Sequence, residues 1–460
     1  MQQFLHRPLY RSNKVILSRK KKRAGLEGPP ALVWTMLGQF SHPEYSSGMS
    51  YTPSQKILEK YAHVLVNFSL GRGKGLKKGE VVRLVAYESA KPLYVAVHNA
   101  IIEAGGHVIS HYLPDEERGS HARANTTRFF YEHASHAQLT HFPAKYMRGV
   151  IDQIDHQLLI LSEKDPHALL GVDGKKIMAR GEAVIKPFMK WRNDKERQGK
   201  FHWTIGMYGT PGMAKEAGLS EKEYWNQIIK ACYLDQKDPI AKWKAVYKEI
   251  EFYRRKLNAL SPKIEKLHAV GPDMDLWITL GEKRKWNAGG GYNMPSFEIF
   301  TSPDWRGTNG WIRFNQPLYR YGHKVTGVEL VFKNGHVVES KAKTNQKLLR
   351  DMIATPGADR IGEYSLTDSR HSRITKFMAE TLYDENMGGP QGNTHLALGA
   401  AYRDTCNGDI AAMSEDEFTQ LGFNDSSVHT DIISTTRRTV TAHLRNGTQK
   451  IIYKDGKFTL

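Results

Sequence analysis

The chain has 460 residues, 40% of them hydrophobic, enough to bury one large core or two smaller ones; this excludes a disordered tail protein and makes two domains the expectation. A net charge of +18 raises nucleic acid as a partner, because clustered Lys and Arg neutralise phosphates, but no recognition motif accompanies it and no nucleic-acid role is expected. No apolar run reaches the ~18 residues a membrane helix needs, and the two cysteines, Cys232 and Cys406, lie far apart with no CxxC partner, which leaves little room for a disulfide framework or a thiolate zinc site and fits a reducing, cytoplasmic setting.

Residues 1–48 carry eight basic and two acidic side chains, with Arg19, Lys20, Lys21, Lys22 and Arg23 in one cluster. Neither a presequence nor a signal-peptide pattern is complete there. The segment reads as a basic extension outside the folded core, either a targeting segment or the product of a start placed upstream of Met49.

From there the pattern is regular. Ile57, Leu58, Tyr61, Ala62, Val64 and Leu65 recur at helical spacing, which predicts a first helix capped by Ser54 or Thr52. A strand over 81–86, a helix over 92–104 closed by Gly105 and Gly106, and a strand over 108–113 follow in the βαβ order of a parallel sheet. Further strands are expected at 157–161 and 201–207, so residues 49–262 are expected to form an α/β domain with a mainly parallel sheet. Within it, Gly71-Arg72-Gly73-Lys74-Gly75 precedes a strand and lacks the Walker ending, so it reads as a flexible connector. Glu132, His133, His136 and His141 crowd together without an HExxH frame and read as solvated helix residues. A long charged helix over 238–260, with Trp243, Val246, Ile250, Tyr253 and Leu257 as its apolar stripe, ends at Pro262, where the domain boundary is placed.

Residues 263–460 change texture. Short alternating segments at 276–280, 298–301, 324–332 and 336–341, separated by Gly, Asn and Pro, with a helix over 374–383, predict an α+β catalytic domain with mostly antiparallel strands. Glu298 sits among apolar neighbours framed by Pro295 and Pro303; an unpaired buried carboxylate there needs a metal, a cation or a proton, and a paired structural role is the alternative. Glu363 has the same character, with an ion pair to Arg360 as its bland alternative. His395 opens a run over 395–402 that reads as helical, and a step of seven residues would return His395 and Tyr402 to one face. Glu385, just upstream, either approaches that face or simply ends the preceding helix. His429 and Asp431, two apart on a strand, share a face. Three Glu, one Asp and two His form a mixed carboxylate and imidazole set without sulfur, suited to zinc, cobalt, manganese or a similar ion. That is enough for two ions sharing one carboxylate, where a single catalytic zinc would need fewer ligands.

Five ordered motifs carry a resemblance: Pro295-x-x-Glu298-Ile299-Phe300-Thr301-Ser302-Pro303, Arg360-Ile361-Gly362-Glu363, Thr381-Leu382-Tyr383-Asp384-Glu385-Asn386, His395 with Tyr402, and His429-x-Asp431. From about Met49 to the C-terminus the chain resembles the metallo-aminopeptidase family typified by aminopeptidase T, aminopeptidase S and aminopeptidase II. The resemblance implies that Glu298, Glu363, Glu385, His395, His429 and Asp431 hold two divalent ions (zinc, cobalt, magnesium or manganese), with Glu363 bridging and Tyr402 a transition-state hydrogen-bond donor or weak ligand. It also implies two domains, a homodimer, and removal of single residues from peptide N-termini by a water that the two metals activate. The stretch between Glu385 and His395, containing Gly388-Gly389-Pro390-Gln391-Gly392, is longer than the compact loop of the family. Because ligand chemistry does not define substrate, a two-metal amidohydrolase acting on a non-peptide is the alternative, with nucleic-acid binding a distant third.

Overall fold

The computed structural model describes residues 51–116, 125–320, 323–410 and 412–460; the basic extension over 1–48 lies outside the described residues. Helix α1 (Gln55–Val64) starts after Ser54 as expected, although the Ser54 hydroxyl makes no capping bond, and it continues as a π turn through Ser69. Four parallel strands follow, β1 (Val81–Tyr87), β2 (His107–Leu113), β3 (His156–Leu161) and β4 (His202–Met207), in the order β2-β1-β3-β4. Parallel neighbours need a crossover. Helix α2 (Lys91–Glu103) supplies the one between β1 and β2 and buries Leu93, Val97, Ala100 and Ile101. Central β3 is the apolar strand and is buried almost throughout, whereas β2 lies at the edge and is largely exposed.

The segment expected to be a flexible connector is a packed turn. Gly71, Arg72, Gly73 and Gly75 all take positive φ, and a side chain at Gly75 would stand 2.5 Å from the Asn67 carbonyl oxygen, so glycine is required there on two counts.

Helix α3 (Pro239–Leu260) is capped by the Asp238 carboxylate, which accepts from the Ala241 N–H at 2.9 Å. It buries Trp243, Val246, Ile250 and Leu257 of the predicted stripe and gives way to a 3₁₀ turn that contains Pro262.

The rest is mainly antiparallel. Strands β5 (Ile264–Gly271), β6 (Met274–Thr279), β9 (Asp304–Arg313), β12 (Glu329–Lys333), β13 (His336–Lys341), β17 (Thr439–Leu444), β18 (Gln449–Lys454) and β19 (Lys457–Phe458) form one sheet in the order β13-β12-β9-β6-β5-β17-β18-β19. A second sheet, β16-β15-β14-β8-β7, is built from β7 (Asn287–Ala288), β8 (Glu298–Thr301), β14 (Ile361–Thr367), β15 (Asn393–Gly399) and β16 (His429–Ser434). Strands β10 (Leu318–Arg320) and β11 (His323–Val325) pair with each other.

Three expectations are corrected here. The run over 395–402 is not helical: residues 393–399 form β15, whose backbone groups pair with β14 on one side and β16 on the other. Buried on both faces, such a strand shows no alternation, and a short apolar run of this kind carries no period that separates it from a buried helix. The helix expected over 374–383 shrinks to α4 (Thr381–Asp384). Its upstream part is held open because the Asp384 carboxylate accepts from the N–H groups of Met378 at 2.7 Å and Glu380 at 3.1 Å; a side chain that captures backbone donors competes with helix formation. The strand expected over 324–332 is divided between β11 and β12, with Gly327 turning between them at φ 61°.

The largest hydrophobic core among the described residues runs from Leu58 in α1 to Phe458 in β19, with smaller clusters around Phe188 and Phe418. Trp243 of α3 stacks on Phe297 at 5.1 Å between ring centroids, just ahead of β8. The segment 292–294 pairs with the free edge of β4: Ile205 N donates to the Tyr292 carbonyl at 2.8 Å and Met294 N to the Ile205 carbonyl at 2.9 Å. The parallel sheet thereby fixes the chain that leads into Glu298.

Candidate metal centre

Antiparallel partners project from the same face of a sheet, as do residues two apart on one strand. In the second sheet Glu363 pairs with Ala397, which pairs with Asp431; Ser365 pairs with His395 and with Phe300; Thr367 pairs with Glu298; and Gly399 pairs with His429. One face of β8, β14, β15 and β16 therefore carries Glu298, Glu363, His395, His429 and Asp431. Glu363 reaches this row through a bulge at Gly362, where an added side chain would lie 2.3 Å from the Ala400 carbonyl oxygen.

The side chains converge. His395 Nε2 lies 3.1 Å from Glu363 Oε1, 3.2 Å from Glu298 Oε2 and 3.9 Å from Asp431 Oδ1. His429 Nε2 lies 3.3 Å from Glu363 Oε2 and 3.4 Å from Asp431 Oδ1. The two oxygens of Glu363 thus face one histidine each. Glu363 is 3% exposed and His395 1%, so this is a buried concentration of charge. Arg360, the sequence alternative for Glu363, reaches Asp359 and stacks on Trp305 instead.

Backbone carbonyls set the tautomer of both rings. His395 Nδ1 donates to the Glu385 carbonyl at 3.1 Å, and His429 Nδ1 donates to the Ala400 carbonyl at 2.8 Å. The proton is therefore on Nδ1, and in the neutral ring the Nε2 lone pair points at carboxylate oxygens. Lone pairs facing lone pairs at such distances need a cation or a proton between them. Burial disfavours charge on His429, yet Asp431 and Glu363 outweigh it and push its pKa up to about 10; His395 is likewise raised, against burial, by Glu298 and Glu363. Asp431, opposed by burial, is held below the ordinary carboxylate range by His429 and His395. The donor set fits divalent ions, which would take over the role of those protons.

Two groups of three donors, Glu298–Glu363–His395 and Glu363–His429–Asp431, each have ligand atoms within 4.8 Å of one another, and they share Glu363. Glu385 belongs to neither but stands beside them: burial first, and then the charges of Glu298 and Asp431, raise its carboxyl. It also ends α4 as the C-cap. The longer loop that follows is tied down by Asn393 Nδ2, which donates to the carbonyls of Glu385 at 2.7 Å and Met387 at 2.9 Å.

Tyr402 shares no helix face with His395; it follows β15, and its ring packs against His429 at 4.6 Å and Phe300 at 5.6 Å. Burial and the charges of Glu363 and Asp431 raise its phenol, which stays neutral and able to donate. Glu132, His133, His136 and His141 are exposed, and Glu132 pairs with Arg128 at 2.8 Å.

Neutral polar residues escaped the sequence reading. Ser365 Oγ donates to Glu298 Oε2 at 3.1 Å, while Asn293 Nδ2 and Asn386 Nδ2 donate to Glu385 Oε1 at 3.2 and 3.3 Å. An amide or hydroxyl carries no ligand signature; the only signal was the nearness of Asn293 and Asn386 to motif carboxylates.

Residues 54–458 match the family described as thermophilic metalloprotease (M29). Aminopeptidase PepS of Streptococcus thermophilus is 29% identical over 429 residues, 88% of this chain and 98% of its own. Aminopeptidase T of Thermus thermophilus is 31% identical over 323 residues, 66% of this chain and 76% of its own. Among solved structures, wild-type AmpT from Thermus thermophilus superposes with a TM-score of 0.72 at 25% identity, covering 88% of this chain and 100% of that one.

Proposed function

The chain belongs to the thermophilic metalloprotease (M29) family and is a metallo-aminopeptidase, and from that premise we propose that it removes the N-terminal residue of peptides with two divalent ions held by Glu298, Glu363, Glu385, His395, His429 and Asp431. The observation that carries the two-ion reading is the sharing of Glu363 between two donor groups. A carboxylate that offers one oxygen to each side is the bridge a two-ion centre needs. Such ions supply Lewis acidity, which brings a water's pKa toward neutrality and polarises the scissile carbonyl.

The protein's own residues supply the rest. Tyr402, kept neutral beside the cluster, donates a hydrogen bond to the oxygen that gains charge as the carbonyl becomes tetrahedral. Glu363 or a neighbouring carboxylate takes the proton of the attacking water and returns it to the leaving amine. The substrate's free α-amine binds a metal or a carboxylate of the cluster, which confines cleavage to the first peptide bond.

The test uses full-length protein stripped by a chelator. Calorimetric titration with zinc or cobalt is expected to return two ions per chain, and a plateau at one would refute the two-ion reading. Aminoacyl reporter substrates should be cleaved and their N-acetylated counterparts spared; equal turnover would remove the exopeptidase assignment. The homodimer and the reducing, cytoplasmic setting belong to the same proposal. Both cysteines are free and buried, in keeping with that setting, and sedimentation measures the oligomer.

A further inference from the structure

Asn293 stands where the parallel sheet meets the metal centre. It pairs with Ile205 at the edge of β4 and is gripped on either side by the hydrogen bonds of Tyr292 and Met294. The residue is 9% exposed. Nδ2 donates to Glu385 Oε1 at 3.2 Å, and this bond fixes the amide, because rotating it by half a turn would set Oδ1 against the carboxylate oxygen. Oδ1 is thereby left as a buried acceptor with no hydrogen-bond donor among the described residues. Buried acceptors are nearly always satisfied, so one without a donor beside the metal cluster calls for an explanation, and a catalytic role is among those such groups have.

The chemistry of that donor follows from the surroundings. The carboxylates of Glu298, Asp431 and Glu363 stand close enough to Glu385 for their charges to act on it, so the neighbourhood favours a cationic donor over a neutral one. An uncharged amide oxygen can receive such a donor without adding a further carboxylate to the cluster. In an aminopeptidase the donor that every substrate brings is its α-ammonium.

We propose that Asn293 reads the free N-terminus: Oδ1 accepts a hydrogen bond from the substrate's α-ammonium, while Nδ2 holds Glu385 in place. This deepens the aminopeptidase reading and rests on it. Asn293 is a specificity-determining residue through its oxygen and a positioning residue through its nitrogen, and substitution can separate the two roles. Asn293→Asp keeps an acceptor and loses the donor to Glu385; Asn293→Ala loses both.

Calorimetry on the zinc-loaded full chain tests it with a matched pair of probes, L-leucine and its desamino analogue 4-methylpentanoate, and zinc titration of the stripped proteins supplies a readout independent of turnover. Wild type is expected to prefer L-leucine. If it shows no preference, the aminopeptidase reading itself fails. Asn293→Ala should lose about 10- to 100-fold of that preference, the worth of a hydrogen bond to a charged group, whereas Asn293→Asp retains it. Asn293→Ala should bind zinc about 10- to 100-fold more weakly, as loss of a ligand's supporting hydrogen bond does. On aminoacyl reporters, the Ala variant should raise KM more than it lowers kcat. An Ala variant that keeps the full preference for L-leucine overturns the assignment of Oδ1. So does equal weakening of both probes in both variants, which would make Asn293 only a structural support. Should the Ala variant fail to fold, the Asp variant decides alone: loss of preference with the acceptor retained overturns the proposal.

Discussion

Acid should loosen the anchor of the catalytic segment through His202. This residue opens β4, is 3% exposed, and lies with its ring 4.6 Å from that of Tyr292, the residue whose carbonyl ties segment 292–294 to the sheet edge. Burial, reinforced by His156 and Arg72, lowers its pKa from 6.5 to about 3. The folded protein therefore keeps a neutral imidazole where the unfolded chain already binds a proton. Below about pH 6.5 the unfolded state takes up more protons, so stability falls as pH falls, and the loss continues until the folded pKa is reached. By this linkage His202 alone costs roughly 2 kcal/mol at about pH 5 relative to neutral pH. Urea unfolding of wild type and His202→Phe at about pH 7.5 and about pH 5 measures the difference, with a ring of similar size keeping the contact with Tyr292. The variant should lose about 2 kcal/mol less than wild type between the two pH values. Equal losses in the two proteins would refute the reasoning, since His202 would then be titrating as an exposed imidazole does.

Glu363→Gln removes the charge on which both donor groups depend; zinc stoichiometry should fall from two to at most one per chain, and kcat/KM by roughly 1,000-fold, equivalent to about 4 kcal/mol. Tyr402→Phe leaves every carboxylate and imidazole in place, so calorimetry should find unchanged zinc binding while kcat falls by about 100- to 1,000-fold. Gly399→Ala tests the support beneath His429: at φ 106° an added Cβ would stand 1.9 Å from the Val428 carbonyl oxygen. Unfolding experiments should show a loss of at least about 2 kcal/mol, with weaker zinc binding because β16 is displaced.

Much of this protein is legible in its residues because certain patterns are costly unless one structure relieves them. Carboxylates such as Glu298 and Glu363 cannot lie among apolar neighbours without a counter-charge, and the structure gathers them with His395, His429 and Asp431 at one face of a sheet. The βαβ order from Val81 to Leu113 admits a parallel sheet, and Asp238 announces the start of α3.

Other features depended on neighbours that no local window contains. Residues 395–399 are a strand because β14 and β16 take their backbone groups from either side; the apolar run itself suits a helix equally well. One local contact was equally hidden from the apolar spacing: the Asp384 carboxylate takes the N–H groups of Met378 and Glu380 that a helix would use. The protonation of His395 and His429 is decided by the carbonyls of Glu385 and Ala400, and the place of Asn293 beside the cluster depends on a bond to a residue 92 positions away. Sequence by itself determined which groups are too polar or too charged to be left alone; only the tertiary structure decided which of them face each other, because hydrogen bonds and charge pairs act over a few ångströms whatever the separation along the chain.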